Sequence, residues 1–280
     1  MATVPDGHEN MPAMERRPLG GSGLIVPVIG MGTWQTFDVR DPTAVGPVTD
    51  AAVAGGATFF DSSPMYGRAE RVLAETLGPR RAQTQIATKV WAGSAREGRE
   101  QIRQALEWYG GRVDLYQIHN LVAWRDHLPY LEELQAQGAV GAIGITHYSS
   151  SAFGELARIL ETGRVTAIQV PLNPQEREVE RHLLPLAAAR DVGVVVMRPL
   201  GQGSLALRAP ASRELGFLAD YGLRTWAQAL LNWGISDARV SVSIPATSSA
   251  AHMADNCAVG AARRFDAAAR ERVAALAAGL

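Results

Sequence analysis

The chain has almost no lysine. Of its 27 lysine and arginine residues 26 are arginine, and Lys89 stands alone. Arginine supplies positive charge everywhere else, so position 89 calls for something a guanidinium lacks: a compact ammonium whose pKa shifts readily when buried. The preceding Ile86-Ala87-Thr88 is an apolar, β-prone run and Trp91 follows closely, which places Lys89 at a buried strand end. Cysteine is equally scarce. Cys257 alone excludes an internal disulfide framework and a cysteine-based metal cluster. No run of about 18 apolar residues is present to span a membrane. Residues 1–15 carry His8, Glu9 and Asn10 and no apolar core, which argues against a secretory signal. Charge of either sign is not in excess: the net value of −1 gives no basic face for nucleic acid or an anionic membrane. The six histidines form no His-x-His pair at a strand end, which disfavours a metal-dependent barrel hydrolase. The lack of Gly-x-Ser-x-Gly disfavours a serine hydrolase. The expectation is a soluble, reduced, cytoplasmic protein with no metal, nucleic-acid or membrane partner.

What is present is a repeating unit. Short apolar runs alternate with amphipathic stretches of ten or more residues, the pattern of βα units around a parallel sheet. Strands are expected at 28–30, 58–61, 85–89, 115–119, 142–145, 167–170, 193–197 and 241–244. Helices are expected at 48–54, 69–77, 99–108, 128–137, 151–162, 183–190, 225–233 and 250–256, with a further one near 266–278. Gly55, Gly78, Gly110, Gly138 and Gly163 stand just past helices, where left-handed caps belong. Eight strands alternating with eight helices over about 250 residues is the arithmetic of a (β/α)₈ TIM barrel. A doubly wound open sheet is the runner-up, but the best glycine-rich loop follows the seventh strand rather than the first. A short N-terminal β-hairpin turning at Gly21–Gly23 precedes the barrel. The division expected is a flexible tail over 1–16 and one barrel domain over 17–280.

Catalytic groups of a barrel converge at the C-terminal ends of its strands. Those ends carry Asp61 and then Tyr66, Lys89, His119, Thr146 and His147, Gln169, and Arg198. Each admits a plainer reading: Asp61 capping the turn to Tyr66, Tyr66 a packing ring, His119 a core histidine. Together they suit one chemistry. A phenol of pKa about 10 is a poor acid at neutral pH, and an adjacent ammonium stabilises its phenolate. A carboxylate such as Asp61 keeps the lysine charged, and an imidazole at His119 orients a substrate oxygen. The set suits protonation of an alkoxide as it forms, as in reduction of a carbonyl by hydride. Hydride must come from a cofactor, so a phosphate site is needed, and barrels build it from the loops after strands seven and eight. Pro199-Leu200-Gly201-Gln202-Gly203-Ser204-Leu205-Ala206 is the candidate. Trp34, Trp91 and Trp124 follow strand ends and are candidates to wall a substrate pocket with Tyr66 and His119.

These motifs resemble the aldo-keto reductase family. The resemblance is carried by Phe60-Asp61-Ser62-Ser63-Pro64-Met65-Tyr66-Gly67, by Ala87-Thr88-Lys89, by Asp114-Leu115-Tyr116-Gln117-Ile118-His119, and by the opening Gly30-Met31-Gly32-Thr33-Trp34. It implies Asp61, Tyr66, Lys89 and His119 as the catalytic set, with Tyr66 as general acid, and reduction of an aldehyde or ketone. It also implies NADPH, with NADH as the alternative. Gly32, Thr33, Trp34 and Asp61 would border the nicotinamide. Thr146 stands where the family has Ser, His147 where it has Asn, and Gln169 matches its Gln; these three would hold the carboxamide. Arg198, Pro199, Leu200, Gly201, Gly203, Ser204 and Leu205 would follow the pyrophosphate, with Met197 where many relatives stack a tyrosine. Ile244, Ala246, Thr247, Ser248, His252 and Asn256 would meet the adenosine end, where the usual cations for a 2′-phosphate are replaced by hydroxyls and one histidine. Two other classes remain open: a regulatory protein that binds nicotinamide nucleotide without turnover, and a non-redox lyase or isomerase.

Overall fold

A computed structural model describes residues 13–280 of the chain. The first elements form an antiparallel hairpin, β1 (Arg16–Pro18) with β2 (Ile25–Pro27). The strands that follow are all parallel and neighbour one another in chain order. They are β3 (Met31–Gly32), β4 (Phe59–Asp61), β5 (Gln85–Val90), β6 (Val113–His119), β7 (Val140–Thr146), β8 (Ala167–Pro171), β9 (Gly193–Met197) and β10 (Val242–Ser243). The sheet closes on itself: Gly30 N donates to Ser243 O at 2.8 Å, Ser243 N to Val28 O at 2.9 Å, and Gly32 N to Pro245 O at 3.0 Å. Helices α1 (Gly46–Ala54), α2 (Ala69–Leu77), α3 (Ala95–Trp108), α4 (Trp124–Ala136), α5 (Phe153–Glu161) and α6 (Leu183–Ala189) follow the first six barrel strands. After β9 come a short α7 (Ser204–Leu207) and then α8 (Trp226–Ile235); α9 (Ala250–Ala258) and α10 (Ala267–Ala278) follow β10. The chain is a (β/α)₈ barrel with a hairpin ahead of it. Among the described residues no helix is long and apolar enough to cross a membrane.

Several expected boundaries shift. The first strand, expected at 28–30, pairs there only with the β10 side, and its pairing with β4 falls on Met31 and Gly32. The stagger that closes a barrel separates the two edges of one strand in this way. Helix α3 starts at Ala95 rather than 99 because the Ser94 hydroxyl accepts from Glu97 N and caps it. The left-handed residue after α1 is Gly56 at φ +80°, not Gly55. The tail expected over 1–16 falls outside the described residues for 1–12, but β1 already begins at Arg16. Glu15 is tied in too, its carboxylate pairing with Arg17 at 2.6 Å and with Arg264 at 2.7 Å.

Strand period fixes what fills the barrel. Inward positions alternate, and along each strand they turn from apolar to polar toward the C-terminal end. Phe59 precedes Asp61, Ala87 precedes Lys89, Leu115 precedes Gln117 and His119, Ala142 precedes Thr146, and Ala167 precedes Gln169. The lower layer, Phe59, Ala87, Leu115, Ala142, Ala167, Val195 and Val242, forms one buried cluster with Leu19 and Val26 of the hairpin. The hairpin therefore plugs the N-terminal end. Gly20 permits the approach: its φ is +52°, and a Cβ there would stand 2.3 Å from Gly193 N.

Candidate active site

The polar upper layer opens on a cavity of about 450 Å³ at the C-terminal mouth. Lys89 lies beneath it, 1% exposed. An ammonium has three protons to place. One goes to Asp61 Oδ2 at 2.6 Å and one to Ser62 O at 2.9 Å. The charge sits 5.1 Å from the centre of the Tyr66 ring. Burial alone would pull the Lys89 pKa down, but the carboxylate of Asp61 and the phenol of Tyr66 outweigh it and hold the group above the ordinary lysine value. Asp61 is steadied from its other side, where Gln117 Nε2 donates to Oδ1 at 3.1 Å.

The turn that presents Tyr66 is capped by Ser63, whose Oγ accepts from Met65 N at 3.2 Å. Asp61 is thus free of the capping role that was its plainer reading. The same Ser63 Oγ lies 2.7 Å from His119 Nδ1, and the His119 and Tyr66 rings meet edge to face with centroids 5.8 Å apart. Burial, with help from the charges of Lys89 and His147, takes the His119 pKa down to about 3, so the ring is neutral. The Tyr66 pKa departs from expectation. Burial raises it, the Lys89 charge pulls it back, and the result lies above the ordinary phenol value. The ammonium limits the rise rather than reversing it, and the phenol keeps its proton at neutral pH.

Most of the other candidates share this cavity. Gly32, Thr33 and Trp34 line it with Asp61, as do Thr146, Gln169, Arg198, Pro199, Leu200, Gly203, Ile244 and Ala246. Thr146 and Gln169 are buried and adjacent in the β7–β8 register, so two polar side chains converge at one depth. The loop after β9 is tightly wound, with Arg198, Gly201, Gln202 and Gly203 all at positive φ. A Cβ at Gly201 would press to 2.8 Å from the buried Leu205. Arg198 reaches Glu176 Oε1 at 3.4 Å, and its guanidinium lies 5.0 Å from the centre of the Tyr148 ring. Strand-end reading did not single out Gln35, Thr36, Met65, Asn120, Tyr148 or Gln202, which also line the cavity. It also passed over Gln117, although inward parity two residues before His119 marks that position.

Other candidates stand elsewhere. Trp91 is 44% exposed and borders a separate surface groove, because the chain leaves β5 at Val90 and Gln101 clasps the Trp91 backbone. Trp124 opens α4 and donates from Nε1 to Glu155 at 2.9 Å, away from the cavity wall. His147 also lies off the lining; its Nδ1 accepts from Ser149 N at 3.0 Å and its ring stacks on Tyr148. Ser204 turns back to Gly201 O at 2.6 Å. Thr247, Ser248 and His252 gather where the β10 loop enters α9, with Thr247 Oγ1 accepting from Ser249 N and Ser249 capping the helix at His252 N. Asn256 is buried one turn further on.

The fold of this chain is that of known aldo-keto reductases. It matches the holo form of one from Bacillus halodurans with a TM-score of 0.80 at 23% identity, over 94% of this chain and 96% of that one. A Klebsiella pneumoniae aldo/keto reductase in complex with NADP and acetate gives 0.78 at 22% identity, over 94% of each chain. In sequence, an uncharacterised oxidoreductase of Mycobacterium tuberculosis is 31% identical over 63% of this chain, a match that spans only 59% of that protein. An aldo-keto reductase of Mycobacterium sp. strain KMS is 30% identical, covering 75% of this chain and 76% of its own length. The aldo/keto reductase family model matches residues 28–278. On that match, the chain belongs to the aldo/keto reductase family.

Proposed function

We propose that this protein is an NAD(P)H-dependent reductase of a small aldehyde or ketone, with Tyr66 as its general acid. The observation that carries the reading is the only lysine of the chain, buried and ion-paired to Asp61 beneath the ring of Tyr66, which itself lines the cavity. The donor set fits a nicotinamide nucleotide. Thr146 and Gln169 offer paired polar groups for a carboxamide, and the glycine-wound loop from Arg198 to Gly203 offers backbone amides and one cation for a pyrophosphate. Thr247, Ser248 and His252 offer donors for the adenosine end. The bound nicotinamide supplies the hydride that no side chain can.

The protein's own residues supply the proton and its direction. Tyr66 keeps its proton until negative charge develops on the carbonyl oxygen, then gives it up. The Lys89 ammonium, fixed by Asp61 and Gln117, stabilises the phenolate left behind. With the Ser63 hydroxyl donating to Nδ1, the neutral His119 carries its proton on Nε2 and offers it to the substrate oxygen. The test follows cofactor oxidation near 340 nm with an activated aromatic aldehyde, using NADPH and NADH in turn. Wild-type turnover should fall by at least about 100-fold in Tyr66→Phe while cofactor binding, read by quenching of protein fluorescence, persists. Undiminished turnover in the variant would remove Tyr66 from the acid role.

A further inference from the structure

Three buried acids lie outside the proposed chemistry; Asp114 and Asp237 pair with Arg81 and Arg239, while Glu70 has no ion pair among the described residues. Glu70 sits in the first turn of α2, 3% exposed, against the outer face of β5. The Thr88 hydroxyl donates to its Oε1 at 2.5 Å. Thr88 precedes Lys89, so its side chain faces out of the barrel where that of Lys89 faces in. Tyr109 donates from its hydroxyl to the Glu70 backbone oxygen at 3.1 Å and fixes the same turn from behind. The charged groups that act on Glu70 are Lys89 on β5 and Asp61 on β4, both across the strand, and its titratable neighbours are Tyr109 after α3 and Tyr116 on β6. An amide would accept the Thr88 hydrogen bond equally well without the cost of a buried ionisable group. What the acid adds to that bond is a charge behind the strand of Lys89.

We propose that Glu70 is a positioning residue whose buried carboxylate, one strand behind Lys89, sets how readily Tyr66 releases its proton. The inference rests on the reductase reading. The Thr88 bond holds the carboxylate against the strand that carries Lys89. Through its charge it favours the Lys89 ammonium and opposes the Tyr66 phenolate. Burial holds the group up to about 7, against the pull of the Thr88 bond and of Lys89. It therefore changes charge across the neutral range. Protonated, it leaves Tyr66 the stronger acid, suited to giving its proton to a carbonyl oxygen. Ionised, it makes the phenolate the stronger base, suited to taking the proton back from an alcohol. Rising pH would tilt the site from reduction toward oxidation.

Tyrosinate absorbance near 295 nm, titrated on the protein alone, tests this without turnover. Glu70→Gln and wild type are each compared with and without Tyr66→Phe, so that the difference isolates Tyr66. The Tyr66 midpoint should fall by roughly half to one pH unit in Glu70→Gln, the scale of one like charge acting through the protein. Thr88→Val, which breaks the bond but keeps the charge, should leave that midpoint in place. An unchanged midpoint in Glu70→Gln, or an equal shift in Thr88→Val, overturns the proposal. Should Glu70→Gln fail to fold, wild-type infrared spectra decide: a protonated-carboxyl band above about 1700 cm⁻¹ must vanish with a midpoint near neutral, and its absence overturns the proposal. Lack of turnover with either nicotinamide would instead overturn the reductase reading, while the Tyr66 midpoint would still decide the role of Glu70.

Discussion

At the scale of the residue, position 89 asks for a point charge. Lys89 spends two of its three protons on Asp61 and the Ser62 carbonyl, in a space with 1% exposure. A guanidinium is planar, wider, and carries five donors. Lys89→Arg keeps the charge and should still lose on the order of 100-fold or more in kcat. The loss should fall on kcat more than on cofactor affinity, and steady-state kinetics beside fluorescence titration of the cofactor separates the two. Near-wild-type turnover would mean that only the sign of the charge matters there. The chain itself declares this site, because a residue type used once in 280 positions is not filling a generic need. The groups around Lys89 were less visible. Asp61 stood at a strand end and was readable. Gln117 required knowing that inward parity continues below His119, and Glu70 lies on a helix whose facing strand no spacing reveals.

At the scale of the element, the hairpin is the part that a barrel count leaves out. Leu19 and Val26 complete the lower layer of the barrel and are fully buried. Leu19→Ala should destabilise the protein by about 2–5 kcal/mol, because the surrounding strands cannot collapse into the space. Urea denaturation should show this as a lower midpoint with an unchanged slope, while cofactor binding persists at the far end. A change of less than about 0.5 kcal/mol would show that the hairpin is only leaning on the barrel. The alternation of strands and helices was legible because each element obeys its own hydrophobic period. Loops obey none. Trp91 and Trp124 follow strand ends as Trp34 does, yet only Trp34 lines the cavity. Gln35 and Gln202 line it through backbone at positive φ, a conformation their side chains do not announce.

At the scale of the whole molecule, two buried groups pull stability against pH in opposite directions. His119 titrates at about 3 when folded against 6.5 when exposed, so the unfolded chain binds its proton first and stability falls as pH drops through that window. Glu70 is raised from 4.5 to about 7, so the folded chain keeps its proton longer and stability falls as pH rises through that window. Each slope approaches about 1.4 kcal/mol per pH unit at most. Between roughly pH 4.5 and 6.5 they oppose, and the contribution of this pair should be nearly flat. Thermal melts of His119→Gln and Glu70→Gln should uncover the two slopes separately, Tm falling with rising pH in the first and with falling pH in the second. Parallel pH dependence in both variants would show that neither group is held as described. The rarity of lysine has a last consequence. Feeding isotope-labelled lysine to an expressing culture would mark a single side chain, so one nitrogen resonance in an NMR spectrum would report the ammonium of this site without any assignment. A protein whose Lys and Arg residues are arginine but for one carries its own spectroscopic label where the proton chemistry is proposed to occur.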